Sequence, residues 1–162
     1  MVTDVFIRYR QFNTTERVSL PPPGMGEGNA FSGYPAISGS GLVIAYESSA
    51  SNLVAGDTNG LTDIFVRDLI AMSTTRVNVS SAGAQAVGGS SDRPSLSDDG
   101  RRIAFESDAT NLVSDDTNER RDIFVRYINS ATTVRASVGS TGIEGIQTCS
   151  YPMISGDGNI VA

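Results

Sequence analysis

Branched Ile64 and Val66 alternate with Phe65 and Arg67 through Asp63-Ile64-Phe65-Val66-Arg67, the first two on one side and the second two on the other. That is the period of an extended strand, whose successive side chains leave opposite faces. The run from Thr74 to Val79 alternates in the same way, and no stripe of helical period competes with either. Asp98-Asp99-Gly100 separates two further strand-like runs, with glycine supplying the positive φ of a tight turn. The pattern predicts four short strands per unit: a at 94–97, b at 102–107, c at 122–126 and d at 132–138. Strand c is apolar on both sides, as expected of a small sheet held between two neighbours.

The unit repeats. Asp63–Arg67 returns as Asp122-Ile123-Phe124-Val125-Arg126, 59 residues later, and a variant stands at Asp4-Val5-Phe6-Ile7-Arg8. Arg17, Arg76 and Arg135 keep one offset, as do Gly24, Gly83 and Gly142. The segment from Gly41 to Ser48 matches that from Gly100 to Ser107, and Pro35–Ser38 matches Pro94–Ser97. In the third copy Pro152–Ser155 and Gly158–Ala162 arrive one residue early, which places a single deletion in the loop before them. A period of this length signals an array whose units cannot bury their faces alone.

The string from Ser97 through Asp98-Asp99-Gly100 to Phe105, followed by Asp122–Arg126, resembles the repeat of TolB-type β-propellers. The resemblance spans nearly the whole chain and implies an all-β fold of four-stranded antiparallel blades. It also implies a non-catalytic role and a periplasmic or secreted parent protein, although Met1-Val2-Thr3-Asp4 lacks the basic and apolar regions of a secretory signal. The segments Asp108–Arg121 and Ser49–Thr62, between strands b and c, are longer than the family pattern and leave room for a site.

The expected organisation is one propeller module over 1–162: strands c and d of a split blade at 4–32, complete blades at 33–91 and 92–150, and strands a and b at 151–162. These make about three blade equivalents, whereas closed propellers have roughly four to eight. Two chains pairing their terminal halves would make a six-bladed homodimer and remove the exposed sheet edges. The competing expectation is a truncated structural fragment of a larger secreted propeller.

Net charge is -6 and every basic residue is arginine. An acidic chain without a basic cluster argues against nucleic-acid binding, and no apolar run reaches membrane-span length. Cys149 stands alone, so no internal disulfide forms. With no histidine there is no Ser-His-Asp triad, histidine base or histidine-ligated zinc. A carboxylate-dependent hydrolase is the remaining enzymatic reading, with Asp98, Asp99, Glu106, Asp115 and Asp116 as its candidates. Glu47 and Glu106 recur with the scaffold, as structural residues do, so the expectation is a binding protein without catalysis.

Asp57, Asn59 and Asp63, repeated as Asp116, Asn118 and Asp122, put oxygen-bearing side chains at spacings that wrap Ca²⁺. The loop resembles the calcium loops of integrin-type blades, with Ala55 and Ser114 where such loops begin with aspartate and Glu119 in place of glycine. Arg67 and Arg126 are expected to pack against neighbouring blades or to pair with Asp63 or Glu106. In an antiparallel meander the b–c and d–a connections share one face, and here they are long: 21–33, 49–62, 80–92, 108–121 and 139–151. Long loops on a rigid scaffold are where recognition concentrates, so a protein or glycan partner is expected there, at Glu27, Asn29, Gln85, Glu144 and Gln147.

Overall fold

The computed structural model describes residues 2–162, and among them no helix forms. β1 (Phe6–Tyr9) and β2 (Thr14–Arg17) pair alone; β3 (Ser32–Ile37), β4 (Val43–Ser48), β5 (Asp63–Asp68) and β6 (Ser73–Arg76) form one antiparallel meander. β7 (Ser91–Leu96), β8 (Arg102–Ser107), β9 (Asp122–Tyr127) and β10 (Thr132–Arg135) form a second. A C-terminal hairpin closes through the Ile154–Val161 bridge, with reciprocal backbone bonds of 2.9 Å between Met153 and Ala162.

The two meanders are paired in one register. Tyr46 faces Phe65 across β4 and β5, and Phe105 faces Phe124 across β8 and β9. Both aromatic pairs stack with ring centroids 6.0 Å apart at 27°. Alternation then explains the layers. Phe105, Phe124 and Ile103 of the second meander meet Ala45, Ile64 and Val66 of the first in one core. Tyr46, Phe65 and Ile44 on the opposite face of the first meander meet Val5 and Val18 of the β1–β2 sheet. Ala104 and Val125 meet Ile154. Sheets therefore stack face to face in chain order, and the two four-stranded meanders bury both apolar surfaces while the terminal layers bury one.

Two strand boundaries differ from the sequence expectation. The a strands begin earlier, at Ser32 and Ser91, because a bulge carries the chain past Tyr34-Pro35 and Arg93-Pro94. Tyr34, Arg93 and Tyr151 occupy this position at φ of 47°, 55° and 61°, a conformation that non-glycine residues adopt only when held. Glu47 holds Arg93 by accepting its backbone N–H at 3.0 Å, and Glu106 holds Tyr151 at 2.6 Å. The d strand stops at Arg135 rather than Val138: the Ile123 N–H turns to Ser137 Oγ (3.0 Å), as that of Ile64 turns to Asn78 Oδ1 (3.0 Å). Side chains replace the ladder where strands c and d diverge.

At the a–b turns, Asp98 lies between Gly39 and Gly156, its equivalents in the flanking repeats. A Cβ at Gly39 would sit 2.6 Å from Asp98 Oδ1, and one at Gly156 would meet the same carboxylate. Glycine there lets the Asp98 side chain sit against both neighbouring units.

Candidate functional site

Each b–c loop is tied to the d–a loop beside it. Asn52 Nδ2 donates to the Glu27 carbonyl (2.7 Å) and Asn111 Nδ2 to the Gln85 carbonyl (2.9 Å). Asn52 Oδ1 accepts from the Asn29 N–H and Asn111 Oδ1 from the Val87 N–H. Gln85 Nε2 donates to Thr58 Oγ1 at 2.8 Å, and in the next repeat the Thr117 N–H and hydroxyl both donate to Glu144. These repeated bonds hold the long connections as one braced layer at one end of the sheets.

Beneath this layer lie the aspartates of the two oxygen-rich loops, each set closed around a guanidinium. Arg76 Nη1 is 2.9 Å from Asp57 Oδ1 and 3.2 Å from Asp63 Oδ2. Arg135 Nη1 is 2.7 Å from Glu144, 3.4 Å from Asp116 and 3.7 Å from Asp122. In the N-terminal sheet Arg17 spans Asp4 (3.0 Å) and Glu27 (2.7 Å). The guanidinium stands among the oxygens that a metal would need.

The asparagines point the same way. Asn59 Oδ1 accepts from the Leu61 N–H while its Nδ2 donates to Asp63 Oδ1 and the Ala86 carbonyl. Asn118 repeats the pattern with Arg120, Asp122 and Gly145. Backbone partners on both sides of the amide fix its orientation, so a donor rather than an acceptor faces the carboxylates. Ca²⁺ takes about six to eight oxygen ligands. Although Asp116, Asp122 and Glu144 bring carboxylate oxygens within 4.8 Å of one another, the arginine and the inward amide leave a donor set that does not fit Ca²⁺.

Electrostatics follow the burial. The Asp57 and Asp116 carboxyls are pushed above the ordinary aspartate range by burial first and by Asp63 or Asp122 next. Asp116 Oδ2 and Arg135 Nε are buried without a hydrogen-bond partner. Glu144 is held below its usual range, chiefly by the Thr117 hydroxyl.

Of the other candidate carboxylates, Glu106, Asp99 and Asp115 are engaged, Asp115 at 3.5 Å from Arg135, whereas the exposed Asp98 side chain makes no hydrogen bond or ion pair among the described residues. Glu106 accepts from Arg121 Nη1 (2.7 Å) as well as from the Tyr151 N–H, and Arg121 also reaches Asp92 and Asp108. Asp99 accepts from the Ser97 hydroxyl and the Arg101 N–H in the hairpin turn. Among the five expected partner-contacting residues, Glu27 and Glu144 hold arginines, Asn29 braces Ser51 and Asn52, and Gln85 braces Thr58. Gln147 is the one whose side chain makes no hydrogen bond among the described residues. Arg67 and Arg126 pair with neither Asp63 nor Glu106: they donate to Thr74 and Thr133 hydroxyls. The residues that pair with the aspartates are Arg76 and Arg135, whose shared offset was the available sequence signal.

No sequence-family model matches the chain, and no curated protein matches it. Among solved structures, it superposes on TolB from Acinetobacter baumannii with a TM-score of 0.57 at 16% identity, covering 98% of this chain and 31% of that one. The fold is TolB-like. A putative TolB from Agrobacterium tumefaciens agrees, with a TM-score of 0.55 at 18% identity over 91% of this chain and 40% of the other. The chain thus spans less than half the length of these β-propeller structures, and identities this low speak to fold alone.

Proposed function

We propose that the chain is a non-catalytic recognition scaffold that binds a protein partner across its braced loop face. The observation that carries this reading is the cross-bonding of loop to loop, which presents a preformed surface with little ordering left to do on binding. Met25, Ile143 and Ile146 stand exposed on these loops; such aliphatic side chains favour a protein surface over a glycan. The arginine-filled aspartate clusters serve the scaffold by fixing the loops. A periplasmic or secreted setting belongs to the same proposal, supported by the fold shared with TolB structures. The test compares a captured partner's affinity for I146S with that for I70S, since both isoleucines are exposed (81% and 75%) but Ile70 lies in the c–d turn at the opposite end. Affinity should fall at least tenfold for I146S alone, and equal losses would sink the assignment of the face.

Assembly with a second copy belongs to the same reading. Phe6 is paired with Arg17 as Phe65 is with Arg76 and Phe124 with Arg135. Phe65 and Phe124 are fully buried, while Phe6 is 59% exposed. At the other end, the layer of Ala104, Val125 and Ile154 packs against the partly buried Tyr127 and, among the described residues, has no phenylalanine like Phe105 and Phe124, which cover Ile64 and Val66. The side chain left open at one end of the stack is of the type missing at the other. Pairing by the β8–β9 register would put Ile160 of one copy opposite Tyr9 of the next, as Arg102 is opposite Tyr127. In a C149S background, Tyr9→Cys with Ile160→Cys should give a covalent dimer on oxidation, and a sedimenting monomer would exclude it.

A further inference from the structure

The two complete repeats differ in chemistry around one arginine of strand c. In the second, Arg126 Nη1 donates to the Ser80 carbonyl (3.2 Å) and to Thr133 Oγ1 (3.1 Å). A serine strap closes over it: Ser81 Oγ accepts from the Thr133 N–H (3.0 Å) and donates to the Thr133 carbonyl (3.3 Å). In the first repeat, Pro21 and Pro22 replace those serines. Proline offers neither a hydroxyl nor an N–H, so the strap cannot form, although Thr74 still donates to the Leu20 carbonyl (3.1 Å).

The consequence is an open cleft of about 570 Å³, walled by Leu20, Pro21, Pro22, Pro23, Leu53 and Met72, with Arg67 lining it. Among the described residues the Arg67 guanidinium has one acceptor, Thr74 Oγ1 at 3.2 Å, and no carboxylate within ion-pairing distance. Yet the residue is only 7% exposed. A buried cation without a counter-charge is costly, and its fork of donors matches a planar carboxylate. The Tyr46 hydroxyl, which its counterpart Phe105 lacks, is buried on the same sheet without a hydrogen-bond partner.

We propose that this cleft binds a small monocarboxylate on an apolar body, with Arg67 taking the carboxylate and the proline, leucine and methionine side chains taking the body. One guanidinium between apolar walls suits a monoanion better than a phosphate, and the volume lies in the range of small-molecule sites. The site is independent of what the loop face recognises.

Calorimetric titration of the intact chain with octanoate, and with octanamide as its uncharged counterpart, tests the assignment. Octanoate should bind saturably and at least tenfold more tightly than octanamide. R67M, which keeps most of the apolar stem, should abolish that preference, whereas R126M should leave it intact. Should R67M fail to fold by circular dichroism, P21S/P22S supplies the second arm: restoring the serines should close the cleft and weaken octanoate at least tenfold with Arg67 in place. Absent saturation by octanoate, equal binding of octanamide, or full affinity in R67M or P21S/P22S would each overturn the site.

Discussion

Replacing Arg135 with methionine should be among the most damaging single changes in the chain. The side chain is 3% exposed and contacts Glu144, Asp116 and Asp122, of which the aspartates are 2% and 0% exposed. Removing one member of a buried charge group costs about 3–5 kcal/mol, because the partners remain buried and unneutralised. At about 2–4 °C per kcal/mol for a chain of this length, the melting temperature should fall by about 6–20 °C. Urea unfolding at pH 7.5 followed by far-ultraviolet circular dichroism measures the loss, and R135M/D116N should recover part of it by removing one orphaned charge. Millimolar Ca²⁺ should stabilise R135M, whose carboxylates are then open, and leave the native chain unchanged. A loss below about 1 kcal/mol in R135M, no recovery in the double variant, or stabilisation of the native chain by Ca²⁺ would refute the view that arginine fills the aspartate loops.

Two further outcomes follow from the same geometry. Asp116 has a folded-state pKa above its unfolded value, so its contribution is fully favourable below the unfolded pKa and is lost as pH rises through the folded one. D116N should therefore gain stability relative to the native chain between pH 4.5 and 7.5, and thermal melts showing a constant gap would contradict this. E106A leaves the Tyr151 N–H without its acceptor, while Arg121 keeps Asp92 and Asp108, and should cost about 1–3 kcal/mol; amide exchange should quicken first in the 151–162 hairpin, and uniform exchange would argue against the latch.

The central strands were legible because alternating branched and aromatic residues, repeated at 59, leave little else for Ile64–Arg67 or Ile103–Glu106 to form. The start of strand a was not, because Ser91, Asp92 and Arg93 look like loop and join the sheet only through a bulge pinned by Glu47 from another sheet. Strand d was drawn too long because its alternation outlasts its pairing. The aspartate loops invited a metal because their oxygens are adjacent in sequence, whereas the cation opposite them lies on the next strand. Arg76 reaches Asp63 only in the register that sets Phe65 across from it. Arg67 is expected from its place on strand c to pack or to pair; the three prolines beside it are remote in sequence and meet it only in the folded chain.

The Glu47 and Glu106 latches run in one direction, each carboxylate lying on the sheet that precedes the amide it catches. A chain emerging from its N-terminus finishes both of these carboxylates before the amides they catch exist, so each completed sheet offers its successor a ready acceptor. Growth or loss by whole units keeps every joint matched. A missing residue is tolerable only in the stretch between joints, and the single deletion in the third copy falls there, upstream of Tyr151.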